Sequence, residues 1–275
     1  MKRKALKRAC MAIISMLKWE KKIPILEIKN DKLFSNKVAL ITGGSGGIGK
    51  AIAKHLLQDG CKVIIAGTNE DKLVCAKQEL GAHDFIVLDM NDIESFDKKI
   101  KELFIKNGGI DIFICSAGVH SENIDFWQMT EKEYDRVMNV NLKGTYFFCQ
   151  TAAKYIKEHK GGGNILLVSS SRGSEPAWSP YGISKWALNG MTKGLAKELA
   201  PYGINVNAIA PGSTATNLLG YKKGESIYCE DNSVHRLSMP EEVANLAGLL
   251  VSDAGKMING EIIHISAGRG TFDIR

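Results

Sequence analysis

The chain has 275 residues, enough for one large α/β domain or for one domain with a short appendage. It is 44% hydrophobic and 24% charged, an ordinary balance that allows a sizeable core and excludes a fibrous or disordered chain. The net charge of +6 is unevenly placed. Residues 1–36 hold ten basic residues against three acidic ones, while the rest carries 26 against 27 and lacks the electrostatic footprint of a nucleic-acid binder.

At the N-terminus a basic stretch precedes a short apolar run, Ala9 to Leu17, before charges return at Lys18, Glu20, Lys21 and Lys22. A run this short cannot cross a bilayer as a helix, which takes about 20 residues. No small-residue cleavage signal follows, so a secretory signal peptide fits poorly. Leu6, Cys10, Ile13, Ile14 and Leu17 share one helical face flanked by Arg3, Lys4, Lys7 and Arg8, a pattern that suits an anionic membrane surface. A plainer reading is an extension docked on its own domain or on a sister subunit, and an organellar targeting peptide is a third. Residues 1–36 are therefore read as a basic extension, with 1–22 as its candidate membrane contact, and 37–275 as a single domain. The cysteines form no C-x-x-C pair and have no His partners at metal spacing. This pattern argues for a reducing, cytoplasmic setting, and against disulfides and a metal site.

From Lys37 onward, short β-branched runs alternate with amphipathic stretches. Strands are expected at Lys37–Thr42, Lys62–Ala66, Phe85–Leu88, Asp111–Cys115, Asn164–Ser169, Asn205–Ile209 and Glu261–Ile265. Helical patterns fall at Ala51–Gln58, Asp71–Leu80, Ile93–Phe104, Tyr134–Glu158 and Lys185–Leu199. This alternation predicts an α/β fold, a Rossmann-like doubly wound parallel sheet with helices on both faces. Apolar runs such as VALI and VIIA suit strands buried on both sides.

The first strand leads straight into a glycine-rich loop, Thr42 to Gly49, followed by a helical segment. Gly43, Gly47 and Gly49 allow a sharp turn, and with Ser45 and Ile48 they form the expected pyrophosphate cradle at a helix N-terminus. The spacing is G-x-x-x-G-x-G rather than G-x-G-x-x-G; the position between first strand and first helix carries the nucleotide reading. After the second strand come Gly67 and Thr68, where an acidic residue would bind the ribose of NAD and repel a 2′-phosphate. Its absence favours NADP over NAD, although no Arg or Lys stands there to attract the phosphate. Asp89 is a candidate acceptor for an adenine amino group, or simply a turn residue.

Tyr181 and Lys185 stand four residues apart and share a helix face. Bringing a Tyr from its usual pKa of about 10 toward neutrality takes about 4 kcal/mol. An ammonium about 4 Å away can supply that at an effective dielectric of about 20. Such a pair also arises by chance, and other motifs decide the matter: TGGSGGIG at Thr42–Gly49, SAG at Ser116–Gly118, NVNLKG at Asn139–Gly144, SS-x-x-G at Ser169–Gly173, YGISK at Tyr181–Lys185 and NAIAPGSTAT at Asn207–Thr216. In this order, over residues 37–270, they resemble the short-chain dehydrogenase/reductase family, near 3-oxoacyl-(acyl-carrier-protein) reductases and sugar or alcohol dehydrogenases.

The resemblance implies roles. Ser170 holds the substrate oxygen and Tyr181 exchanges a proton with it. Lys185 lowers the Tyr pKa and binds the nicotinamide ribose. Asn141 holds a water of a proton relay. Ala117 and Gly118 border the adenine pocket, Pro211 and Gly212 shape the loop around the nicotinamide, and Thr216 binds its carboxamide. A homodimer or homotetramer built on the helices around Tyr134–Glu158 and Ser184–Leu199 is also implied.

Three departures from the family pattern stand out. Cys115 and Ser116 replace two asparagines, which predicts altered packing rather than lost chemistry. The gap from Ser170 to Tyr181 is short, which leaves Ser169 and Ser171 as alternatives for the serine role. The ending Ile265-Ser266-Ala267-Gly268 replaces Val-Asp-Gly-Gly in a region that bears on oligomer contacts.

The stretch from Ser213 to Val234 has the length of a lid over a small-molecule carbonyl or alcohol substrate. Within it Lys222 and Lys223 read as solvated charges or as an anion site. Trp178 and His120 are candidates for the pocket wall or for packing. A protein of this fold that binds NAD(P) but only senses or scaffolds is the alternative to an enzyme.

Overall fold

The computed structural model describes residues 33–272 apart from 122, 123 and 160; the candidate membrane-contact stretch 1–22 lies outside the described residues. Seven parallel strands form one sheet: β1 Val38–Thr42, β2 Lys62–Gly67, β3 Asp84–Val87, β4 Ile112–Cys115, β5 Gly163–Val168, β6 Ile204–Pro211 and β7 Ile262–Ile265. Their order is β3-β2-β1-β4-β5-β6-β7. The chain reverses its winding between β1 and β4, so the crevice at their carboxyl ends is where such a sheet binds ligands.

The helices are α1 Gly47–Gln58, α2 Glu70–Leu80, α3 Ser95–Asn107, α4 Glu131–Met138, α5 Thr145–His159, α6 Pro180–Leu199 and α7 Pro240–Val251. They divide between the two faces because each strand alternates its side chains. On β1, Val38 and Leu40 join a core with Phe96 and Ile100 of α3, Phe148 and Ile156 of α5 and Leu188 of α6. Ala39 and Ile41 point the other way, to Ile52 and Leu56 of α1, Leu73 of α2 and Val243 and Leu250 of α7. Both faces of β1 are thus buried, as the continuous apolar run VALI requires. Phe34, near the end of the basic N-terminal segment, is buried in the second core, and its N–H donates to the Asp59 carbonyl at 3.0 Å.

Two elements differ from expectation. The stretch Tyr134–Glu158 is not one helix: a six-residue π-helical turn, Asn139–Gly144, separates α4 from α5. Close packing accompanies the widening, because a Cβ on Gly144 would collide with the carbonyl of Met90. Helix α7, absent from the expected elements, packs against α1. No helix among the described residues is long and apolar enough to cross a membrane.

Candidate active site

The nucleotide side of the crevice is made of backbone. Gly43 has φ +68, and a Cβ there would stand 3.0 Å from Ala117, so the loops after β1 and β4 touch only because this residue is glycine. A Cβ on Gly49 would strike the Gly43 carbonyl, which keeps the turn tight. Helix α1 begins at Gly46 without a side-chain cap, leaving its first N–H groups for an anion. Ser45 and Ile48 are half-buried on this turn. The Ser45 hydroxyl lies beside Gly67 at the end of β2, and the Thr216 methyl lies over Gly47. Thr68 is exposed next to Gly67. Asp89 makes a local turn, with Oδ1 accepting from the Asn91 N–H and side-chain amide at 2.9 Å each.

The two missing asparagines are replaced physically. The Thr42 hydroxyl accepts from the N–H groups of Ser116 and Ala117 at 3.2 Å each and donates to the Ile114 carbonyl at 3.4 Å, which steadies the end of β4. The Cys115 thiol turns into the core, 3.6 Å from that of Cys149.

The side expected to carry catalysis is made of side chains, of which Asn141, Ser170 and Lys185 are buried and Tyr181 is half-buried. Ser179 caps α6 by accepting from the Gly182 N–H at 3.2 Å, and Pro180 opens the helix, so Tyr181 and Lys185 occupy its first turns. Of the three adjacent serines, Ser170 is the one whose hydroxyl lowers the pKa of the Tyr181 phenol. Ser169 is committed elsewhere, donating to Asn189 Oδ1 at 2.6 Å. Gly118 ties the two sides together: a Cβ there would lie 3.3 Å from Asn141 Oδ1 and 3.9 Å from Lys185 Nζ. Asn141, 1% exposed, accepts from the Val119 N–H at 2.8 Å and donates to the Val119 carbonyl at 2.9 Å and to Ser184 Oγ at 3.3 Å.

The electrostatics depart from the expected pairing. Burial holds the Tyr181 phenol above its ordinary pKa, against the downward pull of the Ser170 hydrogen bond and the charges of Arg172 and Arg269. Lys185 is not among these influences. Its ammonium donates to the Val168 carbonyl at 2.8 Å and lies 5.5 Å from the phenol ring centroid, and burial lowers its own pKa to about 8. Burial thus moves both groups toward their neutral forms.

Beside Tyr181 opens a cleft of about 340 Å³ walled by His120, Arg172, Trp178 and Ser179. Both aromatic candidates are on that wall. His120 stacks on the Tyr181 ring at 4.3 Å, and Trp178 meets Phe126 edge-on at 6.3 Å. Pro211 ends β6, and Gly212 approaches the strand after it so closely that a Cβ would stand 3.0 Å from Ser266 Cα.

The segment Ser266–Gly268 has work within the chain. The Ala267 carbonyl accepts from Ser233 at the end of the lid stretch. It also presents Arg269, which bonds Glu175 at 2.8 Å, Ser213 at 2.8 Å and Asp231. Sequence reasoning missed this ion cluster and Arg172, since its members are up to 94 positions apart. Lys222 and Lys223 are exposed to solvent.

A sequence model of the short chain dehydrogenase family matches residues 37–225. The chain belongs to the short-chain dehydrogenase/reductase family. The matched span takes in the glycine-rich loop Thr42–Gly49, Ser170, Tyr181 and Lys185. A 3-oxoacyl-(acyl-carrier-protein) reductase of Rickettsia felis is 37% identical over 243 residues, covering 85% of this chain and 97% of that protein. Dehydrogenase/reductase SDR family member 4 of Mus musculus is 34% identical over 244 residues, 85% and 87% of the two chains. A short chain dehydrogenase from Burkholderia cenocepacia, solved in complex with NADP, is 30% identical with a TM-score of 0.78, covering 86% of this chain and 99% of that one. Membership makes the chain an oxidoreductase of a family whose members bind NAD(P), act on small molecules and commonly assemble into oligomers.

Proposed function

We propose that this protein moves a hydride between a nicotinamide dinucleotide and a carbonyl or secondary-alcohol carbon, with Tyr181 as the acid–base. The observation that carries the reading is the half-buried Tyr181 beside the buried Ser170, opening on a cleft walled in part by the loop after β4. A dinucleotide fits the residues present: the bare start of α1 and the close-packed Gly43 and Gly49 leave N–H groups and room for a pyrophosphate. When bound, the nicotinamide supplies or accepts the hydride. NADP is the favoured form, because Gly67 and Thr68 put no carboxylate where a 2′-phosphate would lie.

This chain's residues do the remainder. The Ser170 oxygen accepts from the Arg172 N–H at 3.2 Å, which leaves its proton to hold the substrate oxygen. Tyr181, kept protonated by burial, donates to that oxygen in reduction and takes the proton back in oxidation. Lys185 binds the ribose hydroxyls and passes protons onward. Asn141, its side-chain amide fixed by Val119 and Ser184, holds the relay water. Asp89, with one oxygen in its turn, faces adenine with the other; Ala117 and Gly118 border that pocket, and Thr216 takes the carboxamide.

A second copy of the chain covers the apolar groove of Met138, Leu142, Tyr146, Phe147 and Met191 on α4, the π turn, α5 and α6. The companion setting is the cytoplasm, in keeping with the unpatterned cysteines.

The test is a fluorescence titration with NADPH and NADH, then cofactor oxidation against ketones, aldehydes and 3-oxoacyl thioesters. Tyr181→Phe is expected to lower turnover by about 10²- to 10⁴-fold while cofactor still binds. Activity that survives this change would sink the mechanism. Cofactor binding without turnover by the unaltered protein would favour a sensor.

A further inference from the structure

The cleft beside Tyr181 carries a cation that the hydride chemistry does not use. Arg172 stands in the short turn Ser171–Ser174, and its own N–H holds the Ser170 hydroxyl oxygen at 3.2 Å. The Arg172 backbone is thereby fixed next to the group that grips the substrate oxygen, and its side chain lines the same cleft as Tyr181. Its side chain is 51% exposed, and a single nitrogen, Nη1, meets Glu175 Oε2 at 2.9 Å. Among the described residues, Nε and Nη2 have no partner. Glu175 is itself shared, since its other oxygen accepts from Arg269 Nε at 2.8 Å. On the same wall, Asp125 is engaged in capping the turn Phe126–Gln128 through the Gln128 N–H at 2.9 Å. The result is a cleft with an open guanidinium fork whose carboxylate partner is divided between two arginines. A planar fork of N–H donors matches a carboxylate two bonds at a time.

We propose that Arg172 makes this protein selective for oxo acids, holding the substrate carboxylate while Ser170 and Tyr181 hold the carbonyl oxygen. The inference deepens the reductase reading and rests on it. The cleft, about 340 Å³, has room for a small oxo acid. Trp178, braced edge-on by Phe126, gives the carbon skeleton an apolar wall. The charge of Arg172 also reaches the Tyr181 phenol, in keeping with a cation close to the reacting oxygen.

The test measures NADPH-dependent reduction of pyruvate, acetoacetate and levulinate, each beside its methyl ester. At least one acid is expected to exceed its ester in kcat/KM by about 10- to 100-fold, the worth of a charged hydrogen-bonded pair. In Arg172→Ala that preference collapses toward unity, and Arg172→Lys restores part of it. The preference is a ratio taken within one protein, so a partly unfolded variant does not distort it. Esters and neutral ketones reduced as well as the acids, or an acid preference that survives Arg172→Ala, would overturn the proposal and leave the reductase reading standing. No turnover of any carbonyl compound by the unaltered protein would remove the reading itself, and the proposal with it.

Discussion

The two sides of the site are made of different material. The nucleotide side is shaped by missing side chains: Gly43 and Gly49 lie where a Cβ would meet backbone, and α1 starts without a cap. The catalytic side is shaped by side chains buried and held: Asn141 on Val119, Ser169 on Asn189, Lys185 on Val168. The first is therefore vulnerable to added atoms and the second to altered charge and removed partners.

The sharpest way to break that contrast is to add atoms to the loop. In Gly49→Val the new side chain must push against the Gly43 carbonyl. Overpacking of this kind costs about 1 to 3 kcal/mol. Cofactor affinity is expected to fall by about 10- to 100-fold, read by nicotinamide fluorescence. Unchanged affinity would mean that the turn is not the cradle.

On the catalytic side the charge state of Lys185 is the lever. Its pKa falls to about 8 through burial, below its unfolded value, so the folded protein releases this proton first. Carbonyl reduction should hold below about pH 8 and decline by about tenfold per unit above it, if charged Lys185 is needed. Folding stability should move the other way: between about pH 8 and 10 the unfolded chain binds more protons, so stability rises with pH. A reduction rate flat to pH 10 would remove Lys185 from the proton path.

The smallest effect concerns Ala267, which sits at φ +49 where a Cβ is crowded. Ala267→Gly relieves that crowding but frees the unfolded chain, for a net gain of about 0.5 kcal/mol. Thermal unfolding would reveal it, and a lower melting temperature would show that the strain is absent.

Much of this was legible in the residues. All seven expected strands lie within two residues of the observed ones at either end, because both-sided burial demands apolar runs. Helix α7 went unnamed because Leu246 and the exposed Leu249 carry apolar surface beyond the face buried by Val243, Ala244, Ala247, Gly248, Leu250 and Val251, which blurs a one-sided pattern. Pro240, Glu241 and Glu242 at its start were the available signal. The Tyr181–Lys185 spacing placed both groups on one face, but spacing carries no desolvation, and desolvation set the phenol's pKa. The Arg172–Glu175–Arg269–Asp231 cluster joins the turn after β5, the lid stretch and the segment after β7, a meeting that no local pattern announces.

The π-helical turn between α4 and α5 gives chain length a chemical meaning. A π turn carries one more residue than an α turn would, and that surplus accompanies Asn141 at its contacts with Val119 and Ser184. Removing any one residue from 139–144 would let the turn close into a regular α-helix and take away the widening that accompanies those contacts. Part of the candidate site is thus written as a count rather than as an identity, and a deletion there would damage it even with every named side chain still present.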